Sequence, residues 1–237
     1  MVERILYWRG CMSRLRVKYI ADSTEKLLSK LGIAYETLGD SEGCCGSVLR
    51  RTGQTEAALA VAEETKNRIV SRGFREVVTS CPGCYRTMAS EYKAYFGQAP
   101  FIVEHISQFL HRRKGLLKGH LKPMSIRVAY HDPCHLGRHM GVYEEPRELI
   151  RLVPDVELVE FKYNREKSIC CGSGGGVRSV LPELSLEVSR TVLAELPDVD
   201  LLVTSCPFCN YNLRQAGKEV KIQVLDLPEF ILKAWRD

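Results

Sequence analysis

All ten cysteines of this chain belong to two copies of one arrangement. The first copy is Cys11, the adjacent pair Cys44 and Cys45, and Cys81-Pro-Gly-Cys84; the second is Cys134, Cys170 and Cys171, and Cys206-Pro-Phe-Cys209. The intervals nearly repeat, with 32 residues between Cys11 and Cys44 against 35 between Cys134 and Cys170, and 35 between Cys45 and Cys81 against 34 between Cys171 and Cys206. A duplicated scaffold carrying two five-thiol nests is the direct reading. It limits the fold, because each half must bring three distant segments to one place.

Apolar periodicity supplies such a fold. Ile5 to Trp8 reads as a strand, and Val17, Ile20, Leu27, Leu28 and Leu31 have helical spacing that stops at Gly32. Ile33 to Leu38 reads as a second strand and Gln54 to Arg72 as a long amphipathic helix. Glu76 to Thr79 feeds Cys81, a helix follows over Tyr85 to Tyr95, and Phe101 to Val103 leads through His105 to a last helix ending near Arg113. Lys114 to Pro123 is basic, carries two glycines and ends in proline, which marks a connection between halves.

The second half restarts with strands at Ile126 to Tyr130, Val156 to Phe161, Leu201 to Thr204 and Ile222 to Leu225. Helices lie around Pro146 to Leu152, Pro182 to Leu196 and Phe208 to Gly217. Strands alternating with helices imply a parallel sheet. The expected architecture is α/β: two pseudo-symmetric duplicated domains, 1–118 and 119–237, each a mainly parallel four-stranded sheet flanked by helices and each with a modest core of its own. Every cysteine group follows a strand, so each set should gather at the carboxyl edge of its sheet, where open α/β folds place ligands. The two Cys-Pro-x-Cys turns also open helices, whose free amides and positive dipole end favour thiolates.

The N-terminal residues lack the basic, apolar and small-residue regions of a secretory signal, and no apolar run reaches the roughly 18 residues of a membrane span. A cytoplasmic protein is expected, held at the inner membrane face only through a partner. In a reducing compartment, abundant thiols point to metal or redox chemistry rather than disulfides. The formal charge of +5, from 34 basic and 29 acidic residues, is too even to imply nucleic-acid binding.

A Cys-x-x-Cys pair alone fits a zinc site or a thioredoxin-like dithiol, but the dithiol reading leaves eight cysteines unexplained. Zinc takes four ligands, fewer than the five thiols of a half, although one half holding zinc stays open. Adjacent cysteines sit awkwardly on one tetrahedral ion because the peptide between them is rigid; they reach different irons of an extended cluster more easily. Gly46 after the first pair, and Gly172, Gly174, Gly175 and Gly176 after the second, permit positive φ and close backbone approach to a bulky cofactor.

At these residues the chain resembles the cysteine-rich CCG-domain family, named for its Cys-Cys-Gly motif and typified by heterodisulfide reductases, where such modules form one whole subunit or the carboxyl-terminal part of a longer one. The motif is a single cysteine, a long gap, Cys-Cys-Gly, another long gap and Cys-x-x-Cys, and both copies are complete. Tyr130-His131-Asp132-Pro133-Cys134-His135 is also family-like. The resemblance implies two non-cubane [4Fe-4S] clusters, one on Cys11, Cys44, Cys45, Cys81 and Cys84 and one on Cys134, Cys170, Cys171, Cys206 and Cys209. It further implies reduction of a disulfide of the coenzyme M–coenzyme B type between them.

Such a substrate is anionic, so basic residues near the cluster loops are candidates to bind it: Arg50, Arg138 and Arg178 foremost, with Arg14, Arg51 and Arg86 also close to cysteines. His105, His131 and His135 are candidate hydrogen-bond or proton donors, with His139 near them. The chain has neither a ferredoxin-type cysteine run nor a dinucleotide fingerprint, so electrons should come from an iron-sulfur, flavin or cytochrome partner. The competing function is an electron-transfer subunit of another respiratory oxidoreductase, linked to lactate, glycolate, glycerol phosphate, succinate or sulfite; a two-zinc structural scaffold is a third.

Overall fold

The computed structural model describes residues 4–236. Its strands are β1 (Ile5–Trp8), β2 (Tyr35–Glu36), β3 (Glu76–Thr79), β4 (Ile102–His105), β5 (Ile126–His131), β6 (Val156–Val159), β7 (Leu201–Thr204) and β8 (Gln223–Asp226). They form two parallel four-stranded sheets of the same topology, β2-β1-β3-β4 and β6-β5-β7-β8. In each sheet the chain leaves the first strand to pair on one side and later returns to its other side. The opening between β1 and β3, and that between β5 and β7, is therefore a topological switch point. Register places Trp8 beside Thr79 and His131 beside Thr204, so Cys11 and Cys81, like Cys134 and Cys206, emerge next to each other at such an opening.

The strands read as nearly continuous apolar runs because both faces of each sheet are covered. Period-two alternation divides their side chains between different cores. In β1, Ile5 and Tyr7 enter a central core while Leu6 and Trp8 enter one whose buried residues all come from the first half. In β7, Leu201 and Val203 join the same central core while Leu202 enters one belonging to the second half. The expectation of one modest core per half is thus corrected. Each half keeps a private outer core, and a larger third core is shared.

Helices Lys18–Lys30 and Ile106–Arg112 of the first half and Glu144–Arg151 and Leu227–Lys233 of the second fill this shared space with Leu27, Leu28, Phe109, Leu149, Phe230 and Ile231, all essentially buried. Helix Thr55–Val70 and the helical segment beginning at Pro82 cover the outer face of one sheet. Pro182–Ala194 and Pro207–Gly217 cover that of the other. Burying one leucine-sized side chain is worth about 1.5–3 kcal/mol, so the shared layer holds the halves as one body.

Several boundaries differ from those that periodicity predicts. β2 keeps only two residues of the expected Ile33 to Leu38, an edge strand paired on one side. The expected helix over Tyr85 to Tyr95 runs from Pro82 to Phe96 and contains a π turn at Thr87–Glu91. Helix Leu227–Lys233 is not predicted by periodicity, because its Leu-Pro start looks like the end of a strand; Pro at N1/N2 and a Glu229 carboxylate accepting from the Asp226 N–H start it instead. The connection between halves is anchored: Leu121 bridges to Trp235, and His120 stacks on the Trp235 ring at 5.1 Å. Among the described residues no helix is long and apolar enough to cross a membrane.

Candidate functional site

All ten cysteines line one cleft between the carboxyl edges of the two sheets. Within each nest the thiols form a row of interacting neighbours. Cys11 meets Cys44, Cys44 meets Cys45, Cys45 meets Cys84, and Cys84 meets Cys81. The second row is the same: Cys134, Cys170, Cys171, Cys209, Cys206. Cys170 is exposed, Cys11, Cys44 and Cys134 are half-buried, and the other six are buried.

Main-chain amides aim at these sulfurs. The N–H of Gly46 donates to Cys44 Sγ and that of Gly172 to Cys170 Sγ, both at 3.4 Å. Hydrogen bonds from Cys11 and Cys45, helped by the Gly46 amide and Arg14, hold the Cys44 thiol well below the ordinary range. Cys170 is lowered in the same way by Cys134 and Cys171, with the Gly172 amide. Cys81 is lowered by the Cys84 thiol and by the amides of Cys84 and Gly83 at the helix start, against the opposing effect of burial. Hydrogen bonding to neighbouring thiols and burial push Cys45, Cys84, Cys171 and Cys209 up.

The loops carrying these thiols are tied in place. Thr65 Oγ1 donates to the Cys44 carbonyl and the Tyr92 hydroxyl to that of Cys45, while Ser189 Oγ and Asn212 Nδ2 both donate to that of Cys171. The buried Glu42 carboxylate accepts from the N–H groups of Arg9 and Gly10, fixing the approach to Cys11. In the second half Asp132 performs the converse task, accepting from the Arg165 N–H while the guanidinium of Arg147 forks onto it. Gly46 and Gly172 do have positive φ, but their close approach is to helices: a Cβ on Gly172 would lie 2.7 Å from the Ser185 carbonyl oxygen.

The candidate histidines separate. His135 lines the cleft, and burial, reinforced by Arg51 and Arg86, pushes its imidazole down to about 4. His131 lies outside the cleft in a side pocket; its Nε2 is 3.0 Å from the Ile169 carbonyl oxygen, immediately before Cys170. His105 is not brought to the cleft either. It is fully buried at the start of helix Ile106–Arg112, where Nδ1 accepts from the Ser107 N–H and Nε2–H donates to the Ser80 carbonyl. Burial holds it at about 4.

The arginines separate too. Arg178 borders a second, larger and more open basin that shares Cys11, Met12, Val48 and Phe208 with the cleft. Arg50 is exposed and turned to Thr55, away from the cleft lining. Arg138 is spent on the Glu166 and Ser168 carbonyls, and Arg14 on the Glu42 carbonyl, so in each half an arginine grips the residue two before the adjacent cysteines. Arg51 does line the cleft, paired with Glu91 at 2.5 Å. Sequence reasoning misses Met12, Ser47, Phe208 and the Arg147–Asp132 pair; the first three adjoin cysteine motifs, while nothing in the spacing marks Arg147.

This donor set fits an iron-sulfur group. Soft thiols lie in rows of five with amides directed at them, and each outer main chain is held by side chains of a neighbouring helix. Among the described residues no three His, Cys, Asp or Glu groups are arranged to hold a single metal ion.

Comparison with known proteins agrees with the geometry. The chain is 37% identical over 240 residues to a subunit of the dihydromethanophenazine:CoB–CoM heterodisulfide reductase of Methanosarcina acetivorans, covering 97% of this chain and 58% of that one. It is 33% identical over 240 residues to a subunit of the fumarate reductase (CoM/CoB) of Methanothermobacter marburgensis, covering 99% and 47%. The chain thus spans about half the length of these curated relatives. A crystal structure of a hypothetical protein from Helicobacter pylori matches with a TM-score of 0.66 at 14% identity, over 99% of this chain and 49% of that one, and shows the fold alone. The model of the CCG cysteine-rich domain matches residues 5–89 and 128–214, one copy on each nest, and the chain belongs to that family.

Proposed function

We propose that this chain is the iron-sulfur part of a multi-subunit oxidoreductase that reduces a disulfide, of the coenzyme M–coenzyme B kind, at two non-cubane [4Fe-4S] clusters. The observation that carries the reading is the convergence of both complete five-thiol rows on one cleft. The heterodisulfide reductase and fumarate reductase relatives support it, since their names pair CoM and CoB. Cys11, Cys44, Cys45, Cys81 and Cys84 would hold one cluster and the matching five of the second half the other. When bound, such clusters supply electrons one at a time and Lewis-acidic iron.

The protein's own groups have separate tasks. The Gly46 and Gly172 amides and the start of the Pro82 helix offset negative charge on the sulfurs. Arg51 places a cation in the wall and His135 a hydrogen-bonding ring, where an anionic thiol product would form. The overall change consumes two electrons and two protons and yields two thiols. An iron-sulfur, flavin or cytochrome partner supplies the electrons, in the cytoplasm or at the inner membrane face.

The test is anaerobic assay of the cluster-loaded chain, alone and with its partner subunits, using a reduced viologen and the mixed disulfide of coenzyme M and coenzyme B. Viologen oxidation that requires the disulfide is expected. Full cluster loading without turnover in either preparation refutes the disulfide reading and leaves an electron-transfer role.

A further inference from the structure

The duplication is broken at one place where it matters. Gly83 and Phe208 hold the same position between Pro and Cys in the two Cys-Pro-x-Cys turns, yet one has no side chain and the other a phenyl ring. A Cβ on Gly83 would lie 3.3 Å from Ser47 Oγ, 3.6 Å from Cys81 Sγ and 3.6 Å from His135 Nδ1. The space beside Gly83 is therefore taken by an imidazole reaching across from the second half. Phe208 reaches the other way and packs against the private cores of both halves.

The residues they meet correspond as well. His135 follows Cys134 as Met12 follows Cys11, and both line the cleft. One end is thus built from Gly83, Ser47, His135 and Arg51, with Arg86 and His139 behind His135. The other end is Phe208, Met12 and Val48, apolar where it faces the cysteines and continuing outward into the basin bordered by Arg16 and Arg178. Around the first end two guanidiniums, Arg51 and Arg86, share one carboxylate, Glu91, at 2.5 and 3.6 Å, which leaves an excess of positive charge. A symmetric pair of nests is consequently set in an unsymmetrical cleft.

Resting on the disulfide reading above, we infer that Phe208 and its Gly83–His135 counterpart determine specificity by sorting ligands on polarity. An anionic thiol or half-disulfide lies against Arg51 and His135, and an apolar one against Phe208 and Met12. Phe208 supplies contact area for an alkyl chain and no hydrogen bond; Arg51 supplies charge in a half-buried wall, where water screens it weakly. A disulfide with unlike halves is then held in one direction.

The test titrates the anaerobic, cluster-loaded full chain with 3-mercaptopropionate and with 1-propanethiol, thiols of equal carbon number and different charge, and reads the perturbation of the cluster EPR signals. Phe208→Gly is expected to weaken the propanethiol response about tenfold and leave the mercaptopropionate response in place, whereas Arg51→Gln does the reverse. Phe208→Leu should restore the propanethiol response. If Phe208→Gly fails to load iron, Met12→Gln probes the same end with the same expected result. Equal effects on both thiols in every loaded variant, or no effect on either, overturn the inference and leave the disulfide reading standing. A wild-type signal unmoved by either thiol overturns the disulfide reading and the inference with it.

Discussion

Arg147 and Asp132 are locked together inside the second half, with the two guanidinium Nη atoms each 2.7 Å from a carboxylate oxygen. The side chains are 0% and 2% exposed, and Glu160 takes the remaining edge of the guanidinium. Since Asp132 precedes Pro133 and Cys134, this pair fixes the loop that delivers the first thiol of the second nest.

Replacing Arg147 by Met leaves a buried carboxylate without its cation. Removing one partner of a buried pair costs about 3–5 kcal/mol. Denaturant unfolding of the anaerobic protein should show a loss of that size, and the second nest should release iron before the first. An unchanged midpoint would mean that Asp132 finds another partner.

The paired clamps Arg14 and Arg138 give a more local prediction. Each holds the main chain two residues before adjacent cysteines, so Arg14→Gln should loosen the first nest and Arg138→Gln the second. Outer supports of this type are worth about 10- to 100-fold in metal affinity. Chelator challenge followed by iron analysis should show loss from one nest per variant; if Arg138 instead binds substrate, its variant will retain iron and lose affinity.

Much of this is legible in the sequence, because parallel strands buried on both faces read as short apolar runs and every cysteine group follows one. β1, β3, β5 and β7 stand where periodicity puts them. What periodicity does not show is the packing of one half on the other. The shared core, the reach of His135 to Gly83 and the position of Phe208 arise from residues distant in sequence. His105 departs from its expected place for a related reason: it follows a strand as the cysteines do, but it turns inward to cap a helix.

That cap has a pH signature. His105 titrates at about 4 in the folded protein against an ordinary value of 6.5, so between these the unfolded chain binds the extra proton. Stability therefore rises with pH through this window and falls on acidification, by up to about 3 kcal/mol from this group. His105→Asn, which can still cap a helix start, should flatten the dependence between about pH 6.5 and 4 relative to wild type. Parallel curves for the two proteins would remove His105 as its source.

Glycines after the second adjacent pair should not be equivalent. Gly172 has φ +79°, and a Cβ there would meet the Ser185 carbonyl oxygen at 2.7 Å and Val188 Cβ at 2.8 Å. A Cβ on Gly174 would meet nothing within 4 Å. Gly172→Ala should cost about 1–3 kcal/mol and impair the second nest, while Gly174→Ala stays within about 0.5 kcal/mol. Thermal melts with iron analysis compare them directly, and similar behaviour of the two would contradict the packing described.

The most direct measurement is anaerobic quantification of iron, acid-labile sulfide and zinc with EPR, on the wild-type chain and on Cys45→Ser and Cys171→Ser. Iron and sulfide equal to two [4Fe-4S] clusters per chain are expected, with each variant losing the cluster of its own half and keeping the other. Zinc in place of iron, or variants that retain the full wild-type content, would contradict this expectation.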